Sequence, residues 1–237
     1  MSQTIELRKQ IVLNLKKDVG LEGQLAQVVA CYDRSGSLDW AYNNGFMQRL
    51  TERVLPVGLG FDDNGVVDLF IFHHLAWRSK VDIKLNTIND VIPEIKRNAS
   101  GATNYAPAIR LILDEYVGKV SGGGMFGFGK KERPSKQLQY PVFVLYFTDG
   151  DNDDKAETEE LLREASKYGI YFQFVGIGKA QMRFLEKLDN LSGREMDNCG
   201  FFRAEDLDMM TDTDLYSLMI KEFPMFIREA RQKGVIQ

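Results

Sequence analysis

Three short segments of this chain cluster side-chain oxygens: Asp33-Arg34-Ser35-Gly36-Ser37, Gly101-Ala102-Thr103-Asn104-Tyr105 and Thr148-Asp149-Gly150. Asp33, Ser35, Ser37, Thr103 and Asp149 together offer two carboxylates and three hydroxyls. A hard divalent cation such as Mg2+, or Mn2+ in its place, takes oxygen ligands of this kind at about 2.0–2.1 Å in octahedral geometry and keeps some waters. Two carboxylates among five oxygens leave the ion electrophilic, so it can accept another carboxylate from outside. Gly36 allows the tight turn between the two serines. Asp, Ser and Gly are also ordinary turn formers. It is three such segments at matching places in the fold that point to a site.

Those places are the ends of buried strands and the start of a helix. Residues 26–32 form a short, nearly continuous apolar run that stops at Asp33, as a buried parallel strand does. Residues 140–147 are the strongest such run and stop before Thr148-Asp149. Further strands are expected at 66–72, entered by the turn Asp62-Asp63-Asn64-Gly65, and at 170–177 and 199–202. A shorter extended piece at 75–80 should pair with 66–72. Helical spacing marks 5–18 (Leu7, Ile11, Val12, Leu15) and 42–57 (Phe46, Leu50, Val54, Leu55). It also marks 87–98 with Thr87 as cap and 104–116 with Pro107 in its first turn, then 155–168, 181–190 and 213–232, the last bent or interrupted at Pro224.

Strands alternating with helices specify an α/β fold: a three-layer, doubly wound, mainly parallel central sheet with helices on both faces. Residues 1–23 read as a helical lead-in and 24–237 as one domain. The glycine-rich stretch 118–139 reads as a flexible surface loop. In such sheets ligands bind beyond the carboxyl ends of the strands, where strand order reverses.

Bulk properties remove several function classes. With 44% hydrophobic and 27% charged residues, the chain is not disordered along its length. A net charge of −4 without a long basic run argues against nucleic acid as partner. Cys31 and Cys199 lack a C-x-x-C partner and read as buried thiols in a reducing compartment. The first residues lack the apolar core of a signal peptide. No stretch approaches the roughly 20 apolar residues of a membrane span. A cytoplasmic protein is the expectation.

Other motifs fall short. Asp149, Asp151, Asp153 and Glu160 match positions of a calcium loop, but Asp154 stands where that loop needs glycine. The acidic run is expected to deepen the negative potential near the cation or to cap helix 155–168. Gly124 to Lys130 copies most of a phosphate-binding loop, but Lys131 replaces the final Ser or Thr and no strand precedes it. Met125, Phe126 and Phe128 make segment 122–130 a possible peripheral membrane or partner contact. His73 and His74 are expected on opposite faces of a strand, unable to share an ion. Trp40 and Tyr105 flank the oxygen-bearing segments, as packing or as a rim.

Asp33-x-Ser35-x-Ser37, the later Thr103 and the strand-terminal Asp149-Gly150 resemble the metal-ion-dependent adhesion site of von Willebrand factor A (vWA) domains. The resemblance covers about residues 24–230. It is closest to the vWA domains of bacterial tellurium-resistance proteins, through Asp33 to Ser37, Leu55-Pro-Val-Gly-Leu-Gly-Phe-Asp-Asp63, Gly101 to Tyr105 and Phe147-Thr-Asp-Gly-Asp-Asn152. It implies a metal-bearing binding domain in a bacterial stress-response system, without catalytic activity. Its partner would be another protein, held through an Asp or Glu side chain at the metal. Some of those proteins carry a separate calcium-binding domain; 237 residues leave no room for it, so its chemistry is not carried over. The alternative is a Mg2+-dependent phosphohydrolase of the haloacid-dehalogenase type. Those enzymes need Asp-x-Asp, and here Ser35 occupies the acid–base position.

Overall fold

The apolar runs become six strands: β1 (Gln27–Asp33), β2 (Val67–Phe72), β3 (Ala76–Arg78), β4 (Val142–Thr148), β5 (Ile170–Ile177) and β6 (Cys199–Ala204). They belong to a computed structural model that describes residues 3–62, 64–98, 100–120, 133–150, 152–207 and 209–237. The strands form one sheet in the order β3-β2-β1-β4-β5-β6. β3 runs antiparallel to β2, and every other neighbour is parallel. Strand order reverses between β1 and β4, where β1 leads outward to β2 and β4 leads the other way to β5.

Around the sheet run α1 (Gln3–Asp18), α2 (Asp39–Asn43), α3 (Phe46–Phe61), α4 (Val91–Lys96), α5 (Ala106–Tyr116), α6 (Lys155–Ala165), α7 (Arg183–Asp189), α8 (Asp212–Ile220) and α9 (Phe223–Gln232). Side-chain alternation along each strand divides the core into two layers. On one face, Phe143 of β4 stacks on Phe223 of α9 with centroids 4.5 Å apart, and Phe61 of α3 meets both. On the other, Phe72, Tyr146 and Phe174 pack with Tyr105 at the start of α5 and Phe184 of α7. These rings are buried, each side chain contributing about 1.5–3 kcal/mol by leaving water. Gly58 and Gly60 let α3 approach closely: a Cβ on Gly58 would collide with Val67 Cγ2 on β2, and one on Gly60 would stand 2.6 Å from Val12 Cγ1 on α1.

Four expected elements differ in detail. Helix 42–57 is two helices, broken at Asn44-Gly45, where Gly45 has φ 81° and Asn44 Oδ1 accepts from Phe46 N at 2.9 Å. Thr87 does not cap α4; its hydroxyl donates to Asp82 O at 2.6 Å, and Asp90 holds the cap position. The last helix divides at Lys221-Glu222, and Pro224 sits in the first turn of α9, where its missing N–H costs nothing. Part of the 118–139 stretch is anchored. Buried Arg133 pairs with Asp114 and Glu164 and donates to Gly118 O at 2.6 Å. Leu138 bridges to Ile236. Residues 121–132, with the phosphate-loop look-alike and the aromatics of 122–130, lie outside the described residues.

Candidate metal site

Asp33 is the last residue of β1 and Thr148 the last of β4, and the register that pairs these strands sets their ends side by side. Asp33 is fully buried. Its Oδ1 accepts from Ser35 N at 2.7 Å, and its Oδ2 accepts from Thr148 Oγ1 at 2.6 Å. Tyr42 of α2 donates to Asp33 O at 2.7 Å. Burial pushes the Asp33 carboxyl up from 3.8 to about 6, against the lowering effect of its hydrogen bonds, and Asp149 nearby adds to the rise. A buried carboxylate in such surroundings gains from a neighbouring cation.

Beyond β1 the chain turns through a 3-10 segment, Gly36–Leu38. Ser35 and Ser37 present their hydroxyls 3.0 Å apart, and Ser37 Oγ donates to Asp149 Oδ1 at 2.9 Å. Burial also raises the Asp149 carboxyl, with the Ser37 bond opposing. Asp33, Ser35, Ser37, Thr148 and Asp149 therefore form one hydrogen-bonded cluster across the β1–β4 switch.

The Thr103 segment joins this cluster through its backbone. Ser35 bridges to Gly101 in parallel, and Gly36 N donates to Gly101 O at 3.1 Å. Asn104 N donates to His73 O, and Asp153 N to Thr103 O, each at 3.0 Å. Thr103 is thus held between the β2 end on one side and the chain after β4 on the other.

The donor set fits a hard cation: oxygens alone, from two carboxylates and three hydroxyls. Among the described residues no group of three or more His, Cys, Asp or Glu side chains could hold a metal. The set here is short of carboxylates and made up with hydroxyls, which suits a hard divalent cation better than a thiolate- and imidazole-loving ion.

Several neighbours were misread or missed from sequence. His73 and His74 do not diverge; they lie past the end of β2, where strand alternation stops, and their rings stack with centroids 4.2 Å apart. Both stand against Gly101, whose added Cβ would meet His74 Nδ1 at 2.6 Å. His73 Nδ1 accepts from Leu75 N at 2.9 Å, which puts its proton on Nε2. The two aromatics divide: Tyr105 is buried and packs the core, while Trp40 is 46% exposed beside Phe46. Asp154 caps α5 across 48 residues, its Oδ2 accepting from Ala106 N at 2.7 Å, and its side chain makes no cap to the α6 it precedes. Only an acidic residue at the end of an acidic run hinted at it.

Elsewhere both cysteines are free and buried, and among the described residues no helix is long and apolar enough to cross a membrane.

Comparison with known proteins agrees with this fold. A family model described as vWA-TerF-like, "vWA found in TerF C terminus", matches residues 25–126 and 129–236. The chain is 31% identical to the uncharacterized protein YcbR of Bacillus subtilis (strain 168), over 99% of this chain and 90% of that one. It is 32% identical to Copine-E of Dictyostelium discoideum over 58% of this chain, which is 21% of that protein. Among solved structures, a von Willebrand factor type A protein from Catenulispora acidiphila superposes with a TM-score of 0.52 at 12% identity. That match covers 87% of this chain and 43% of the other, so the shared part is the fold.

Proposed function

The chain belongs to the vWA-TerF-like family, and on that premise we propose that it is a metal-dependent protein-binding module rather than an enzyme. Asp33, Ser35, Ser37, Thr103 and Asp149 would hold Mg2+, or Mn2+ in its place. When bound, the cation supplies a concentrated positive charge able to take a carboxylate from an Asp or Glu of a partner protein. The chain's own residues do the rest. Asp33 contributes a preformed charge at the base of the site, Ser35 and Ser37 a pair of neutral oxygens, and Asp149 a second carboxylate at its edge. The observation that carries this reading is the continuous cluster from Thr148 through Asp33 and Ser35 to Ser37 and Asp149 at the strand-order switch.

The phosphohydrolase alternative lacks its second acid. Ser35 stands two residues after Asp33, and its hydroxyl faces Ser37. A bacterial tellurium-resistance or stress-response assembly is the setting that the TerF-like family description supports. The test is capture of partner from a bacterial lysate on immobilised protein, with Mg2+ and with EDTA, and with Asp33→Ala. The expected result is capture lost under chelation and in the variant. Capture unchanged in both would overturn the reading, and metal-dependent phosphatase turnover abolished by Asp33→Asn would favour the enzyme.

A further inference from the structure

We propose that Asp154 is a positioning residue for the cation site, acting through Thr103; this rests on the reading of the site as one that holds a divalent cation. Thr103 comes from a segment with no strand of its own, so the position of its hydroxyl depends on what ties down its backbone. Two of those ties come from the first loop and from the end of β2: Gly36 N to Gly101 O, and Asn104 N to His73 O. Others come from the chain after β4. Asp153 N donates to Thr103 O itself at 3.0 Å. Tyr105 hydroxyl donates to Gly150 O. Asp154 accepts from Tyr105 N at 3.0 Å on Oδ1 and from Ala106 N at 2.7 Å on Oδ2.

The Asp154 carboxylate is itself fixed from its own side. Asn152 Nδ2 donates to Oδ1 at 2.5 Å, and Thr158 Oγ1 of α6 donates to it at 3.2 Å. Oδ1 and Oδ2 thus span from α6 to the first amides of α5, beginning two residues after Thr103. Tyr105 and Ala106 are buried, so without the carboxylate their amides would be left without that partner at a helix start. The segment would shift to recover hydrogen bonds. A metal site tolerates ligand distances within only about 0.2 Å, so a small displacement of Thr103 is enough to weaken it. The same carboxylate couples the Asp149 segment to the Thr103 segment, which fixes the spacing between two of the proposed ligands.

The experiment is a double-mutant cycle on the full chain, with Mn2+ affinity read from the electron paramagnetic resonance signal of free ion. The proteins are wild type, Thr103→Ala, Asp154→Ala, Asp154→Asn, Thr103→Ala with Asp154→Ala, and Thr103→Ala with Asp154→Asn. Outer groups that orient metal ligands typically cost 10- to 100-fold in affinity when removed, so Asp154→Ala should weaken Mn2+ by roughly 10-fold or more. Asp154→Asn keeps one acceptor oxygen and should fall between it and wild type. In the Thr103→Ala background neither change should weaken binding further by more than about twofold, because the side chain it positions is gone. Undiminished binding in Asp154→Ala, or an equal loss in both backgrounds, would overturn the proposal. Should Asp154→Ala fail to fold, the Asp154→Asn arm decides by the same comparison. Asp33→Ala separates the two readings. If it binds as wild type does, the cation reading itself fails; if it loses binding while Asp154 variants do not, only the positioning role fails.

Discussion

Replacing Asp33 by asparagine should stabilise the metal-free protein and abolish its response to Mg2+. The carboxyl is fully buried and is pushed from 3.8 to about 6, with desolvation outweighing the bonds from Thr148 and Ser35. At about 1.36 kcal/mol per pH unit, that interval sets an upper limit of about 3 kcal/mol on the cost of the folded, metal-free carboxylate. The sign follows from the raised value. Below about pH 4 the group is protonated in folded and unfolded states alike and adds no cost. Between about pH 4 and 6 the unfolded state ionises first, so stability falls as pH rises. Above about pH 6 the full cost is present. The substituted side chain would keep the local hydrogen bonds: its oxygen can accept from Ser35 N, its amide can donate to Thr148 Oγ1, and the Thr148 hydroxyl can turn toward Tyr105, 3.1 Å away. At pH 7.5 without metal, Asp33→Asn should therefore be more stable by roughly 1–3 kcal/mol, which is about 3–10 °C in Tm for a domain of this size. At pH 4 the difference should vanish. Wild type should recover about 2.7 kcal/mol in Mg2+ at one hundred times its Kd, and the variant none. Calorimetry of both proteins at both pH values, with EDTA or Mg2+, is the measurement. A metal-free variant less stable than wild type at pH 7.5, or one that gains as much from Mg2+, would refute the reasoning.

Arg53 is buried in α3, pairing with Asp212 at 2.8 Å and donating to Leu207 O and Met210 O. Arg53→Met should cost about 1–3 kcal/mol in urea denaturation by leaving the two carbonyls without their donor, while Asp212 keeps Arg8 at 2.9 Å. Gly58→Ala should destabilise by roughly 1 kcal/mol or more, because the Val67 contact outweighs the gain in helix propensity; the urea midpoint reports it. Lys16 Nζ is buried between Gln24 O and Gly60 O, and burial lowers it to about 8. Its charging cost is felt below about pH 8 and relieved as pH rises from there toward 10.5, so wild-type stability should gain across that window. Lys16→Met should flatten that gain in Tm measured against pH.

Much of the sheet could be read from sequence because buried parallel strands are continuous apolar runs with abrupt polar ends. β1 and β4 stop at Asp33 and Thr148, and these stops lie at the site. Helix breaks were harder. Phe46, Leu50 and Val54 keep their spacing into α3, so periodicity alone could not show that Gly45 at φ 81° starts a new helix. Long-range capping was harder still. Asp154 sits directly before α6, and local rules assign it there; only the folded sheet brings the α5 amides to its carboxylate. The histidine pair failed for a similar reason, since two-residue alternation ends with β2 at Phe72.

The reversal of strand order between β1 and β4 also bears on when the site can exist. Ser37 and Asp149 are 112 residues apart in the chain, and Asp33 and Thr148 are 115 apart. No single local unit contains the cluster, and contacts of such separation form only after costly loop closure. Cation affinity would therefore be a readout of completed folding: a nascent or partly unfolded chain that has not paired β1 with β4 would have no site. A partner that docks through the cation would, by the same geometry, engage only finished molecules.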